Sequence, residues 1–188
     1  MPDVLADKAQ LRRTFREVRS AFVSDLAEGE ARRLSSAAMA QAAPHLAGHA
    51  VIGLYAATPE EIDPLSAAPA SATVALPWFA ARDDHMYFRE TGALERGPWG
   101  IRQAVSTSPL AEPTALIVPL VAATRTGHRL GQGGGHYDRY LARRGSEGTR
   151  PLTIGLAWDC QLTQSLPVDP WDEPLNFIAT PSALYAAP

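Results

Sequence analysis

Residues 129–141, RLGQGGGHYDRYL, contain four of the fourteen glycines of this 188-residue chain: Gly131, Gly133, Gly134 and Gly135. Glycine adopts positive φ and carries no Cβ, so the N–H groups of such a loop can approach a ligand closely. If a helix begins near His136, its first N–H groups complete a site suited to phosphate. The spacing matches neither a Walker A loop nor a dinucleotide fingerprint. A plain surface loop therefore stays open as an alternative.

Charged side chains flank this glycine loop. Arg129 precedes it, and Asp138 falls in the first turn of the predicted helix, whose packing face is predicted to comprise Tyr137, Tyr140, Leu141 and Arg144. A carboxylate off that face, beside a phosphate, is placed to hold Mg²⁺, an ion that takes few protein carboxylates. A favourable charge at a helix N-terminus explains Asp138 equally well.

A basic stripe runs along the predicted first helix. Lys8, Arg12, Arg16 and Arg19 follow one another at spacings of four, four and three residues. Like charges at such spacings cost roughly 0.2–0.5 kcal/mol per pair, and a bound polyphosphate would turn that repulsion into attraction. Taken alone, the stripe is better explained as a solvated helix face with Asp7 and Glu17 nearby.

Other polar and aromatic residues allow two interpretations. Glu61 follows a predicted strand and should lie at the carboxyl edge of the sheet, where open α/β sheets bind ligands. As an ordinary loop charge, like its neighbours, it would have no such role. Trp78, Trp99 and Trp158 could stack on a ring, although buried aromatic residues more often belong to the core.

Helical periodicity alternates with short apolar runs along the chain. Two helices are predicted at 2–22 and 24–43, the second closed by Pro44 and Gly48, and another follows the glycine loop. Strands are predicted at 49–57, 72–79, 85–90, 112–122 and 151–158, with an Asp83–Asp84 turn before the third. This order predicts an α/β fold: a three-layer α/β/α sandwich with a mostly parallel sheet and N-terminal helices, in one domain over 1–188.

Composition narrows the function classes. Hydrophobic residues make up 46% and charged residues 20%, as in ordinary globular proteins. The net charge of −3 argues against a general nucleic-acid or membrane binder. The single cysteine, Cys160, fits a reducing compartment, and no signal-peptide core or long apolar run is present. We therefore expect a cytoplasmic protein that binds neither nucleic acid nor a membrane. We also expect it to act on small molecules as a monomer, although composition does not decide this.

Ordered motifs make the chain resemble the 5-formyltetrahydrofolate cyclo-ligase family, also called methenyltetrahydrofolate synthetases. The family pattern of a strand, a short loop and R-L-G-x-G-x-G-Y-Y-D-R is similar to IVPLVAATRTGHRLGQGGGHYDRYL here. The resemblance also covers KAQLRRTFREVRS, YAATPEEIDP, GPWGIRQA and GLAWDCQLTQSLPVDPWDEPLNFIAT. It implies ATP- and Mg²⁺-dependent conversion of 5-formyltetrahydrofolate to 5,10-methenyltetrahydrofolate, with release of ADP and phosphate.

The resemblance also implies site residues. Lys8 and Arg12 would hold ATP phosphates, whereas Arg16 and Arg19 are expected to be structural. Glu61 would bind the folate, accepting from N–H groups of the pterin. Asp138 and Asp172 would be magnesium ligands. The nucleotide loop would comprise Arg129, Leu130, Gly131, Gln132, Gly133, Gly134, Gly135, His136 and Tyr137, with 132–136 also touching the folate.

The chain departs from the family pattern at several positions. His136 replaces the first tyrosine of a pair, Thr124 an aspartate before the loop, and Trp171 a histidine; Gln103–Ala104 and Pro181 also differ. The phosphate and metal set keeps all its charged groups. Two other functions remain open: a phosphosugar isomerase or acyl-transferase relative that binds phosphate without ATP, and a folate-binding regulatory protein without turnover.

Overall fold

The computed structural model describes residues 4–82 and 85–188, with side chains from residue 8 onward. The predicted Asp83–Asp84 turn lies outside the described residues. Within this described part of the chain, none of the helices has the length and apolar character needed to cross a bilayer.

The described residues form three α-helices: α1 (Val4–Ser24), α2 (Glu30–Leu46) and α3 (His136–Ser146). The predicted start of the second helix at residue 24 is wrong, because α1 extends to Ser24 and Gly29, with φ +78°, immediately precedes α2. Its predicted end is also wrong, since Pro44 lies inside α2. Ala42 and Leu46 are buried against the core, and this packing holds the last turn in helical form despite the proline.

Among the described residues, eight strands form the main sheet, in the order β13-β12-β10-β7-β1-β2-β3-β6. The five central neighbours, from β12 to β2, run parallel. At the edges, β13 pairs antiparallel with β12, β3 pairs antiparallel with β2, and β6 pairs antiparallel with β3. A three-stranded sheet, β11-β8-β9, and a hairpin, β4-β5, lie beside it. The strands are β1 (Val51–Gly53), β2 (Thr73–Trp78), β3 (Tyr87–Glu90), β4 (Leu94–Arg96), β5 (Arg102–Ala104), β6 (Leu110–Ala111), β7 (Ala115–Pro119), β8 (Ala122–Thr124), β9 (Arg129–Leu130), β10 (Leu152–Leu156), β11 (Leu162–Thr163), β12 (Phe177–Ala179) and β13 (Leu184–Ala186).

The sheet confirms the predicted class and corrects two strands. The apolar run 112–122 is divided between β7 and β8, which belong to different sheets. The strand predicted at 151–158 is not the last one, because β12 and β13 follow it. Each of these later strands has three residues, too few to show a clear alternation of apolar and polar positions.

The two faces of the main sheet carry separate apolar clusters. Ala115 and Ile117 of β7 pack with α2 on one face, whereas Leu116 and Val118 pack with α3 on the other. Alternate residues of a strand point to opposite faces, so one five-residue strand contributes to both clusters. Helices on both sides of the sheet make the three layers that the sequence predicted.

Gly53 of β1 provides a test of this packing. A Cβ at this position would lie 2.7 Å from Cε1 of the buried Phe88 ring and would also collide with Leu116. We expect Gly53→Ala to lower the free energy of unfolding by about 1–3 kcal/mol, because overpacking forces buried side chains from their positions. Gly92 is the matched control, because a Cβ added there would meet no other atom within 4 Å. Urea unfolding measures the free energy of unfolding of the Gly53→Ala and Gly92→Ala variants. Equal values for the two variants would contradict the packing described for β1.

Candidate active site

The predicted site residues converge beyond the carboxyl ends of the parallel strands. Glu61 follows β1, Asp172 follows β10 and β11, and the glycine loop connects β9 to α3. Helix α1 contacts all three segments through basic side chains. Segments far apart in the chain are thereby assembled around one helix.

The glycine loop leads directly into α3, as predicted. Gly135 precedes the helix with φ +62°, and Gly133 has φ +108°, both in the region that favours glycine. Tyr140 and Leu141 are buried on the packing face, while Asp138 lies in the first turn. Leu130 has its side chain in the interior, 2% exposed, so it can contribute only backbone groups to a ligand site.

Two arginines of α1 hold this loop. Arg12 donates from Nε to the carbonyl oxygen of Gly131 at 2.9 Å. Arg16 donates from Nη2 to Oε1 of Gln132 at 2.6 Å. Arg16, which the sequence analysis expects to be structural, therefore contacts the same loop as Arg12.

Lys8 ties α1 to the segment before β12. Its Nζ lies 2.7 Å from Oδ2 of Asp169 and 2.5 Å from Oδ2 of Asp172. Burial alone would lower the pKa of Lys8, but its hydrogen bonds and charge interactions with the two carboxylates outweigh burial and raise it. Lys8 is 5% exposed, so its place on a solvated helix face is ruled out.

A turn positions the two aspartates that contact Lys8. The N–H of Asp172 donates to the carbonyl oxygen of Asp169 at 3.0 Å, and the N–H of Asp169 donates to Oδ2 of Asp172 at 2.8 Å. Pro170 occupies the second turn position, where its fixed φ is favourable. Sequence reasoning missed Asp169, although the D-P-W-D spacing signals such a turn.

Arg129 and Asp138 form a second ion pair, in which the side chains are 5% and 24% exposed. Nη2 of Arg129 lies 2.7 Å from Oδ1 of Asp138, which also accepts from the N–H of Glu173 at 3.2 Å. Arg129 donates in addition to the carbonyl oxygen of Glu173. Asp138 thus lies against the residue that follows Asp172, and the two predicted magnesium ligands stand on adjoining segments.

The two predicted magnesium ligands form a small donor set. Across residues 4–82 and 85–188, the structure contains no cluster of three or more acidic, histidine or cysteine side chains arranged for a metal. Asp138 and Asp172 supply two carboxylates, which suits Mg²⁺ when substrate phosphates provide further oxygens. Each carboxylate is here paired with a cation instead, Arg129 or Lys8.

Glu61 is fixed from two sides. Oε2 accepts from the N–H of Thr58 at 2.9 Å, and Oε1 lies 3.6 Å from Nη1 of Arg19. The surrounding loop is fastened by Trp158, whose Nε1 donates to the carbonyl oxygen of Glu60 at 2.8 Å, and by Tyr55, whose hydroxyl donates to that of Ile62 at 2.6 Å. Trp158 is 1% exposed and belongs to the core. This agrees with the expectation that a buried aromatic residue packs in the core more often than it stacks on a ligand ring.

Tyr137 is the second residue of α3. Its pKa is raised mainly by burial; the Arg129 charge acts in the lowering direction and Glu61 in the raising direction. The hydroxyl is buried and has no hydrogen-bond partner among the described residues. Tyr137 therefore carries a buried polar group that no contact of the described residues uses.

Three aromatic rings meet at the start of α3. The ring centroid of His136 lies 4.8 Å from that of Phe79 and 5.0 Å from that of Trp99, and these two are 4.7 Å apart and edge to face. Gln103 holds Phe79 through both backbone groups: its Oε1 accepts at 3.2 Å and its Nε2 donates at 3.1 Å. Two departures from the family pattern, His136 and Gln103, thus belong to one cluster. Trp99 is 39% exposed and forms part of the surface there.

The remaining departures lie in different surroundings. Thr124 is buried and its hydroxyl lies 2.8 Å from that of Thr126 within the β8–β9 connection. Trp171 is 67% exposed in the Asp169–Asp172 turn. Thr124 stands where the family pattern has an aspartate, but that position lies outside the predicted phosphate and metal set.

Fold and site together define an α/β protein whose basic helix, glycine loop and carboxylates share one sheet edge. Residues 4–181 match the 5-formyltetrahydrofolate cyclo-ligase family, and the chain belongs to that family. It is similar to the 5-formyltetrahydrofolate cyclo-ligase of Escherichia coli K12, with 48% identity over 77 residues. That of Haemophilus influenzae is 46% identical over 67 residues. The chain spans 41% of the E. coli relative and 35% of the H. influenzae relative, and the matches cover 41% and 36% of this chain.

Solved structures extend the similarity to almost the whole fold. The NMR structure of Aquifex aeolicus 5,10-methenyltetrahydrofolate synthetase has a TM-score of 0.77 and 26% identity, covering 95% of this chain and 92% of that one. The 5,10-methenyltetrahydrofolate synthetase from Mycoplasma pneumoniae has a TM-score of 0.69 over 93% of this chain and 99% of that one. Its 21% identity supports the fold alone.

The unpaired hydroxyl of Tyr137 leads to a stability prediction. A buried polar group without a partner costs about 1–3 kcal/mol, so we expect Tyr137→Phe to raise the free energy of unfolding by about 1 kcal/mol. Tyr185→Phe, in the outer strand β13, is the control and should change stability by less than about 0.5 kcal/mol. Urea unfolding at neutral pH measures both, and a loss of stability in Tyr137→Phe would show that the hydroxyl is paired in the folded protein.

Proposed function

We propose that the protein is a 5-formyltetrahydrofolate cyclo-ligase that uses Mg²⁺ and ATP to form 5,10-methenyltetrahydrofolate, ADP and phosphate. The observation that carries this proposal is the convergence of Lys8, Arg12, Arg129 and the glycine loop with Glu61 at one sheet edge. Family membership supports the same reaction. The substrates are small molecules, and we expect the protein to act on them as a monomer.

The formyl oxygen must be converted to a better leaving group before the ring can close. Phosphoryl transfer from ATP to that oxygen, attack by N10 of the folate and loss of phosphate achieve this without a protein nucleophile. Such a transfer depends on positioning and on neutralising charge at the γ-phosphate. Cationic side chains and backbone donors are therefore the groups that the reaction requires.

The basic side chains supply this neutralisation. Lys8 and Arg129 are buried or half-buried beside carboxylates, where charge interactions are stronger than in bulk water. Arg12 reaches the backbone of the loop that would contact the phosphates. In the proposed complex, these cations exchange part of their carboxylate and carbonyl contacts for phosphate oxygens.

Mg²⁺ would be held by Asp138 and Asp172, and when bound it would neutralise phosphate charge. The hydrogen bonds described for Asp138 end on Oδ1, and those for Asp172 end on Oδ2. The glycine backbone from 131 to 135 would line the phosphates without side-chain interference. Asp169 would retain Lys8 when Asp172 turns to another ligand.

The folate would be bound on the other side of the loop. Glu61 is a carboxylate acceptor suited to the N–H groups of a pterin. His136 and Trp99 present rings where the loop enters α3, and their cluster with Phe79 would receive the folate ring system. Gln132 and the glycines would lie between folate and nucleotide.

Turnover by the purified protein tests this proposal. Incubation with 5-formyltetrahydrofolate and Mg-ATP should raise the near-ultraviolet absorbance of the methenyl product, and omission of ATP should abolish the rise. If the protein shows no ATP-dependent rise, the proposed function is wrong. Folate binding without the rise would instead favour a regulatory folate-binding protein.

Asp138 provides a specific test of the metal assignment. Asp138→Asn keeps the shape of the side chain but removes a charge that a magnesium ligand supplies. We expect the Mg²⁺ concentration for half-maximal activity to rise by about tenfold or more. Asp25→Asn, at an exposed position, is the matched control and should behave as the unsubstituted protein. An unchanged magnesium requirement in Asp138→Asn would remove Asp138 from the metal site.

A further inference from the structure

Arg19 is a buried cation whose environment the proposed roles do not explain. The residue is 5% exposed, whereas the apolar residue beside it in α1, Val18, is 39% exposed. Nη1 lies 3.6 Å from Oε1 of Glu61 and Nη2 lies 3.5 Å from Oε2 of Glu60. A guanidinium is rarely buried unless it is paired, so these two carboxylates account for its position.

The two carboxylates around Arg19 are not equivalent. The side chain of Glu60 is 41% exposed and can be hydrated, whereas that of Glu61 is 10% exposed. Removing one partner of a buried pair leaves an uncompensated charge in a poorly hydrated place. Glu61 therefore depends on Arg19 for charge compensation far more than Glu60 does.

Hydrogen bonding on Arg19 is incomplete. Its Nε and Nη1 are buried and have no hydrogen-bond partner in the described part of the chain. Nη1 faces Oε1 of Glu61 at a distance just longer than a hydrogen bond, while Oε2 of Glu61 is fixed by the N–H of Thr58. The Arg19 guanidinium thus faces Oε1 of Glu61, whereas the N–H of Thr58 holds the other carboxylate oxygen.

We propose that Arg19 is a positioning residue, which keeps the buried Glu61 carboxylate oriented to accept hydrogen bonds from the N–H groups of the folate. This inference rests on the proposed function, in which Glu61 binds that substrate. Arg19 acts through Glu61 and touches no reacting atom. It should therefore govern folate affinity and leave the affinity for ATP unchanged.

Steady-state kinetics of the full-length protein test this role. We expect Arg19→Gln to raise KM for 5-formyltetrahydrofolate about tenfold or more, because a charge-assisted hydrogen bond to the substrate is lost. KM for Mg-ATP should stay within about twofold, because this effect is confined to the Glu61 end. Arg19→Lys keeps the charge with a shorter reach, and its KM for folate should lie between those of Arg19→Gln and the unsubstituted protein. The exposed Arg13 on the same helix provides the control Arg13→Gln, which should change neither KM.

A double-substitution cycle separates positioning from a general structural role. If Arg19 acts through Glu61, the double variant Arg19→Gln/Glu61→Gln should have the same folate KM as Glu61→Gln alone. This comparison also serves if Arg19→Gln alone does not fold, because the double variant removes the uncompensated carboxylate. Multiplicative effects in the double variant, or equal losses of folate and ATP affinity in Arg19→Gln, would overturn the inference.

The unsubstituted protein distinguishes this inference from the proposed function. Absence of ATP-dependent turnover and of folate binding in that protein would mean that the proposed function itself fails. Normal turnover, combined with an unchanged folate KM in Arg19→Gln, would overturn the role of Arg19 and leave the proposed function standing.

Discussion

The candidate site depends on the contact between the basic face of α1 and the loops at the carboxyl edge of the sheet. Four side chains on this helix reach three segments: Lys8 reaches Asp169 and Asp172, Arg12 and Arg16 reach Gly131 and Gln132 of the glycine loop, and Arg19 reaches Glu60 and Glu61. The partners lie up to 164 residues along the chain from the helix residue that they contact. One helix thus sets the relative positions of the residues proposed to bind nucleotide, metal and folate.

The charged side chains in this contact contribute more to the positions of the loops than to the stability of the fold. The attraction within a buried ion pair is largely offset by the hydration that both charges lose, so apolar residues would hold α1 at least as firmly. Charged side chains, however, can exchange one anionic partner for another. Lys8 on its two aspartates and Arg129 on Asp138 place cations where the proposed phosphates would lie. These cations supply the positive charge that a polyphosphate ligand would need.

Two departures from the family pattern, at positions 136 and 103, are linked by packing. His136 begins α3 and contacts Phe79, whose backbone is held by Gln103. Gln103 lies in β5, so the β4–β5 hairpin is joined to the end of β2 beside the glycine loop. The ring at position 136 is therefore supported by Phe79, which the second departure, Gln103, holds in place.

Much of the fold was predictable from local pattern. Apolar runs indicated β1, β2, β3, β7 and β10, and helical periodicity indicated α1 and the start of α3, because burial on a sheet or helix leaves a short-range period. The glycines before α3 indicated close backbone approach. Strands of two or three residues, such as β9 and β12, carry too little pattern to be recognised. The predicted boundaries of α2 were wrong because the effects of Gly29 and Pro44 on the helix depend on their tertiary surroundings.

What the sequence by itself determined is the α/β class, the family and the residue types available at the site. Only the tertiary structure decided which charges are buried and paired. By spacing alone, Lys8 and Arg19 belong to an ordinary solvated helix face, yet each is 5% exposed. Their partners come from segments distant in the chain, and the burial of a charge depends on those partners rather than on the neighbours along the helix.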